Sequence, residues 1–199
     1  QVSTPGGERY PQANADLREK VQKGLLVVNY VGHGGEVGWA HERLLDNGII
    51  QGWSNKDRLP LFMTATCEFS RWDDPSRTSA GELVLLNPNG GGIGLMTTTR
   101  LAYSSQNFSL AQYFYDHAFA DTDEQGRTAR LGDMSRRTKR DISTAQPTLR
   151  NHRNFSLLGD PSLRLALPKH TLRITTITDT LGNAVDTLNP FWSNEPAPT

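Results

Sequence analysis

Two residues have the type and setting for nucleophilic chemistry. One is a histidine framed by glycines in Asn29-Tyr30-Val31-Gly32-His33-Gly34-Gly35, and the other is the only cysteine, in Thr64-Ala65-Thr66-Cys67-Glu68-Phe69-Ser70. The thiolate is the reactive form of cysteine, and a free thiol with pKa about 8.5 is only a few per cent ionised at neutral pH. A neighbouring histidine favours the thiolate by becoming imidazolium, or takes the proton as attack proceeds, and then returns a proton to a leaving amine. The chemistry this pair predicts is attack of Cys67 on an amide carbonyl. The resulting oxyanion needs N–H donors, and the backbone amides of Gly34 and Cys67 are the candidates.

Each signal also has a plainer reading. A histidine between glycines suits a tight turn, and the same string is compatible with a phosphate-binding turn, although the Lys and Ser/Thr that complete a P-loop are missing. A lone cysteine is commonly a small buried hydrophobe. The two gain weight from their corresponding positions, because residues 25–30 form an apolar run that leads to His33 and residues 59–66 form one that ends on Cys67. Neighbouring parallel strands would bring both residues out at one edge. The separation of 34 residues (67 − 33) leaves room for the crossover that parallel pairing requires. Ligands of such sheets sit beyond the carboxyl ends of the strands.

The remaining pattern supplies the scaffold. Residues 1–14 read as a connector, and a short helix over 15–24 has Asn14 as N-cap and Gly24 as C-cap. Further apolar runs at 92–97 and 155–158 read as strands, and 80–86, 106–118 and 131–142 as helices. Strands alternating with helices predict an α/β domain with a mostly parallel sheet flanked by helices, over 25–168. From 169 the texture changes to alternating β residues, which reads as the start of an Ig-like β-sandwich domain, and 194–199 is proline-rich.

Composition sets outer limits. Of 199 residues 36% are hydrophobic and 21% charged, which suits a folded chain and not a disordered one. Lys plus Arg equals Asp plus Glu at 21 each, which argues against bulk attraction to nucleic acid or an anionic membrane. No apolar run approaches the ~20 residues of a membrane span. Gln1 and the lack of a leader read as an excised piece. No motif calls for a cofactor or metal; Glu36, His41 and Glu42 match no zinc spacing and read as solvated loop residues.

Taken together, the strand leading to Tyr30-Val31-Gly32-His33-Gly34, the second strand ending in Cys67, and Phe155-Ser156-Leu157-Leu158-Gly159-Asp160-Pro161-Ser162-Leu163 resemble the gingipain family of cysteine peptidases. The resemblance covers roughly residues 25–168. It implies a caspase-like fold, with His33 as catalytic histidine, Cys67 as nucleophile and Gly34 as an oxyanion donor. It also implies a substrate pocket lined by the loop Thr97-Thr98-Thr99-Arg100-Leu101-Ala102-Tyr103, with Thr99, Arg100 and Tyr103 as candidates. Glu68 joins them as a possible acceptor for substrate; it also suits a turn cap. The acid that would orient His33 belongs to a front part of the domain expected outside this sequence.

Within the family, Cys67-Glu68-Phe69-Ser70-Arg71-Trp72-Asp73-Asp74 and the whole tract to Pro161 are most similar to the surface sortase and signal peptidase of the type IX secretion system of Bacteroidetes. That implies cleavage of C-terminal sorting domains through a thioester, resolved by water or by an amine on anionic lipopolysaccharide. It implies other type IX components as partners and a place at the cell surface. Two alternatives remain at this stage: a non-catalytic surface module that binds cargo or secretion partners, and a broad gingipain-type proteinase. Arg136, Arg137, Lys139 and Arg140 form a basic cluster that reads as a solvated face or a contact for an anionic glycolipid. Asp73 and Asp74 read as caps of the segment leading to Thr78, Asp160 as the holder of a turn, and Trp39, Trp53 and Trp72 as packing.

Overall fold

The structure is a computed structural model that describes residues 2–4, 7–120, 122–148 and 150–167, with 176, 178 and 181–183 beyond them. It divides into two compact units, Gln1–Leu167 and Pro168–Thr199. The alternating tract expected to open a β domain lies almost wholly outside the described residues. In the first unit the elements run β1 (Val2–Thr4), β2 (Gly7–Arg9), α1 (Pro11–Lys23), β3 (Val27–Val31), β4 (Gly34–Gly35), β5 (Gly38–Trp39), β6 (Leu45–Asp46) and α2 (Asn47–Gln51). They continue with β7 (Leu61–Ala65), α3 (Ala80–Leu86), β8 (Gly94–Thr98), α4 (Ser104–Phe119), α5 (Leu131–Ala145), a 3-10 turn at Asn151–Asn154 and β9 (Phe155–Gly159).

Among the described residues the main sheet has the order β3-β7-β8-β9. β3 and β8 both run parallel to β7, as the alternation of strands and helices predicts, whereas β9 returns antiparallel to β8. Every residue of β7 and β8 is buried, so both faces of these strands must be covered. Side chains alternate across the sheet. Leu61, Met63 and Ala65 pack with Met96, Leu110, Phe114, Leu131 and Met134 beneath α4 and α5. Phe62 packs on the opposite face with Val28, Ile50, Trp53, Phe69 and Val84, beneath α1, α2 and α3.

The buried hydroxyls on this second face bond to one another. Thr64 Oγ1 donates to Thr97 Oγ1 at 2.7 Å, and Ser70 Oγ lies 2.8 Å from the same oxygen. All three residues are fully buried, where an unpaired hydroxyl would cost about 1–3 kcal/mol. The chain of hydroxyls joins β7, β8 and the segment after Cys67.

Several elements differ from expectation for local reasons. α1 starts at Pro11 instead of 15, because proline at the first helical position sacrifices no needed N–H. Asn14 therefore lies inside the helix, where its side-chain amide donates to the Arg43 and Leu44 carbonyls at 2.9 and 2.7 Å. The expected N-terminal connector instead holds the β1–β2 hairpin. Residues 34–51, of which Glu36, His41 and Glu42 read as solvated loop residues, build the small antiparallel sheet β4-β5-β6 and α2, which Asp46 caps by accepting the Ile49 N–H at 2.9 Å. The basic cluster on α5 is not a solvated face throughout. Lys139 is half-buried and donates to the Phe155 carbonyl at 2.9 Å, and burial lowers its pKa. The exposed Arg136 and Arg140 lie against Asp133 and Asp141. Asp160 does hold its turn, accepting the Ser162 N–H at 2.8 Å.

His152, in the 3-10 turn, is only 7% exposed, and its Nδ1 has no partner among the described residues. Burial depresses its pKa, reinforced by Arg153 and Lys139. The unfolded chain takes up this proton as pH falls through about 6.5, while the folded chain resists it, so protons favour unfolding. Stability from this group is complete above that pH and is lost as pH falls below it. In urea titrations between pH 7.5 and 5 the wild-type midpoint is expected to fall, and His152→Gln to flatten that slope; an unchanged slope would refute the assignment.

Candidate active site

The site grows from one matched pair of residues. Val31, the last residue of β3, lies opposite Ala65, the last residue of β7. The Gly32 N–H extends the ladder by donating to the Ala65 carbonyl at 3.3 Å. His33 and Cys67 each follow this pair by two residues, so the two strands deliver them to the same end of the sheet. The segments also touch. A Cβ placed on Gly34 would sit 2.5 Å from Thr66 Oγ1 and 2.9 Å from the Gly38 carbonyl oxygen, so only glycine lets the histidine segment lie this close to the cysteine strand.

His33 is exposed, and its own carbonyl is the anchor. It accepts the Tyr30 hydroxyl at 2.7 Å and the Ala40 N–H at 2.8 Å. The Tyr30 ring stacks on buried Trp39 at a centroid distance of 4.4 Å and an interplanar angle of 4°. Burial raises the Tyr30 pKa, with Glu42 adding to the effect, so the phenol stays protonated and keeps donating. The neighbouring His41 ring lies 6.1 Å from that of His33.

Cys67 is half-buried at the mouth of the sheet. Its Sγ receives the Ala102 N–H at 3.5 Å and lies 3.6 Å from the Ala102 carbonyl; among the described residues it bonds to this main chain and not to His33. The chain turns sharply after it, because Glu68 has φ +50, a left-handed conformation costly for a residue with a side chain. The Glu68 and Ser70 amides are tied down by the Arg100 and Thr98 carbonyls at 3.2 and 2.9 Å, and Thr98 Oγ1 donates to the Thr66 carbonyl. The Cys67 amide meets no acceptor among the described residues.

The other expected pocket residues have side chains that are occupied elsewhere or exposed. Arg100 forms a bidentate pair with Asp73 at 2.9 and 2.6 Å, which raises its own pKa and lowers that of Asp73. Thr99 bonds the Asn154 carbonyl through both its amide and its hydroxyl, at 2.8 and 3.2 Å. Tyr103 is 68% exposed. Asp73 and Asp74, read as caps, do not cap a helix, since α3 begins at Ala80 with Ser79 as its N-cap; Asp74 closes a local turn by accepting the Ser76 N–H at 2.9 Å. Trp39 and Trp53 are core residues, but Trp72 is 55% exposed beside the site.

Sequence reasoning missed an ion-pair bridge between the two segments. Glu36, read as a solvated loop residue, has a side chain only 13% exposed, with Arg71 Nη1 3.0 Å from one carboxylate oxygen and Arg77 Nε 3.1 Å from the other. Arg71 also lies 3.6 Å from the Glu68 carboxylate. It therefore links the residue three after His33 to the residue one after Cys67. Opposite charges just after both candidate residues were visible in the sequence, but only folding pairs them. His33 also lines a cavity of about 610 Å³ whose wall includes Val37, Ala40, His41, Arg43 and Leu45, and to which Cys67 does not contribute.

The family model described as peptidase family C25 matches residues 1–166. No curated protein matches the chain. Among solved structures it is similar to the complex of Porphyromonas gingivalis RgpB pro- and mature domains, with 14% identity, TM-score 0.66, and 76% of this chain against 37% of that chain. It is also similar to the Arg-specific cysteine proteinase gingipain R, RgpB, with 16% identity, TM-score 0.65, and 76% against 36%. A third similar structure is described only as a protease, with 19% identity, TM-score 0.58, and 80% against 40%. The likeness shows the gingipain-type α/β fold, and the chain spans well under half the length of each structure.

Two substitutions test this geometry through stability. Gly34→Ala forces a methyl group against Thr66 and should cost about 1–3 kcal/mol in urea denaturation; a neutral result would mean the segments do not touch. Arg71→Leu and Glu36→Gln should each destabilise by about 1 kcal/mol, and the double variant by clearly less than their sum. Full additivity would break the proposed link.

Proposed function

The chain belongs to peptidase family C25, a family of cysteine peptidases, and from that premise we propose that it acts as a cysteine endopeptidase with Cys67 as nucleophile and His33 as acid and base. The observation that carries this reading is the matched placement of the two residues, each two positions beyond the Val31–Ala65 pair. The thiol gives its proton toward His33 as sulfur attacks the scissile carbonyl carbon. The carbon–nitrogen bond then breaks, the amine leaves with a proton from His33, and an acyl thioester remains on Cys67. Water, activated by the same imidazole, releases the acid and restores the thiol. Support for Cys67 as an oxyanion donor comes from its unengaged amide at the strand end, and for Gly34 from its contact with Thr66 alongside. In this role Ala102 holds the sulfur in place until substrate arrives.

The finer reading concerns substrate. The Cys67–Asp74 tract resembles PorU, and on that ground the proposed reaction is sortase-like: removal of C-terminal sorting domains from type IX secreted proteins, with transfer to an amine on anionic lipopolysaccharide or hydrolysis, at the cell surface. A broad gingipain-type proteinase would instead digest generic peptides. The hold of the Ala102 main chain on the Cys67 sulfur favours a second reading, a binding module that has kept the residues without the chemistry.

A peptide chloromethyl ketone separates these readings. Stoichiometric modification of Cys67 that slows at least about a hundredfold in His33→Ala is expected of the peptidase, and Cys67→Ala should abolish processing of cargo. Slow labelling indifferent to His33, or normal processing by Cys67→Ala, would refute it.

A further inference from the structure

We propose that the cavity beside His33 is the leaving-group subsite, which receives the peptide segment following the scissile bond and selects an apolar side chain there. This rests on the peptidase reading above and adds the direction in which substrate lies. Along the carboxyl end of the sheet the segments succeed one another in strand order: the His33 segment after β3, Cys67 after β7 and residues 99–103 after β8. Cys67 is in the middle. When the thioester forms, the acyl carbon stays on sulfur and the amine departs with the proton from His33, so the amine half of the substrate must lie on the His33 side. The acyl half then lies toward residues 99–103.

Beside His33 lies a half-open cavity. Its volume, about 610 Å³, falls within the roughly 300–1,000 Å³ range of binding pockets and exceeds the needs of one side chain. Val37, in its wall, is 60% exposed, an apolar surface left uncovered next to the reacting histidine. Other lining residues are tied to the fold. Ala40 and Arg43 are held at φ +58 and +53, conformations that residues with side chains adopt at a cost, and the Asn14 amide fixes the adjoining Arg43 and Leu44 carbonyls. His41 and Arg43 supply polar groups for the peptide backbone, while Val37 and Ala40 set the apolar preference. An amine that resolves the thioester enters along the path by which the first amine left, so this cavity also selects the acceptor.

The test uses the full chain and a peptide library randomised at three positions on each side of the scissile bond, with products read by mass spectrometry. Wild type is expected to favour large apolar residues directly after the bond. Val37→Glu should lower kcat/KM for the best such peptide at least about tenfold relative to its lysine counterpart, while the ranking of residues before the bond stays the same. A flat profile after the bond, or a Val37→Glu effect confined to residues before it, would overturn the inference and leave the peptidase standing. A chain that cleaves nothing and leaves Cys67 unlabelled by the chloromethyl ketone would sink the peptidase reading and this inference together.

Discussion

The parallel pairing of β3 with β7, in the register that sets Val31 opposite Ala65, is the constraint on which the site depends. Parallel strands cannot be joined by a tight hairpin, so the chain between them must cross over one face and return. That crossover carries the β4-β5-β6 sheet and α2, the same structures that wall the cavity beside His33. A slip by one residue would turn every side chain of β7 to the other face, taking Met63 and Ala65 out of one core and Phe62 out of the other. The burial of both faces thus holds the register, and the register aligns His33 with Cys67.

Polar groups near the site stabilise it only because they are paired. The hydroxyls of Thr64, Thr97 and Ser70 satisfy one another in the core, and Arg71 lies between the carboxylates of Glu36 and Glu68. A partly buried carboxylate without a counter-charge would be costly, so the Glu36–Arg71 pair restrains the two segments as well as meeting its own electrostatic need. The strain at Glu68, with φ +50, is held by bonds to the Thr98 and Arg100 carbonyls on either side of the turn.

The arrangement is asymmetric around the thiol. Toward β8, Arg100 and Thr99 are engaged with Asp73 and Asn154. After β3, the His33 segment lines the cavity, to which Cys67 does not contribute. Under the proposed peptidase reading, a substrate laid across the sheet end meets two unlike walls, and proton return from His33 would set the amine half on the His33 side. On α5, Lys139 is half-buried on the Phe155 carbonyl, and Arg136 and Arg140 have acidic neighbours.

The sequence by itself determined the strands that end near His33 and at Cys67, the helix over 80–86, and the α/β class, because each rests on a local pattern of apolar residues long enough to show its period. It also carried the family motifs. Elements two to five residues long, such as β4, β5, β6 and α2, have no period to read, and the hairpin at the start depends on pairing between its strands. The antiparallel return of β9 was equally invisible, since a strand's direction is not written in its own residues. Only the tertiary structure decided that Glu36 is enclosed by Arg71 and Arg77, that Arg100 is taken by Asp73, and that the sulfur of Cys67 rests on Ala102. Charges and thiols find partners through space, and which partners are near is set by strand order and register, not by distance along the chain.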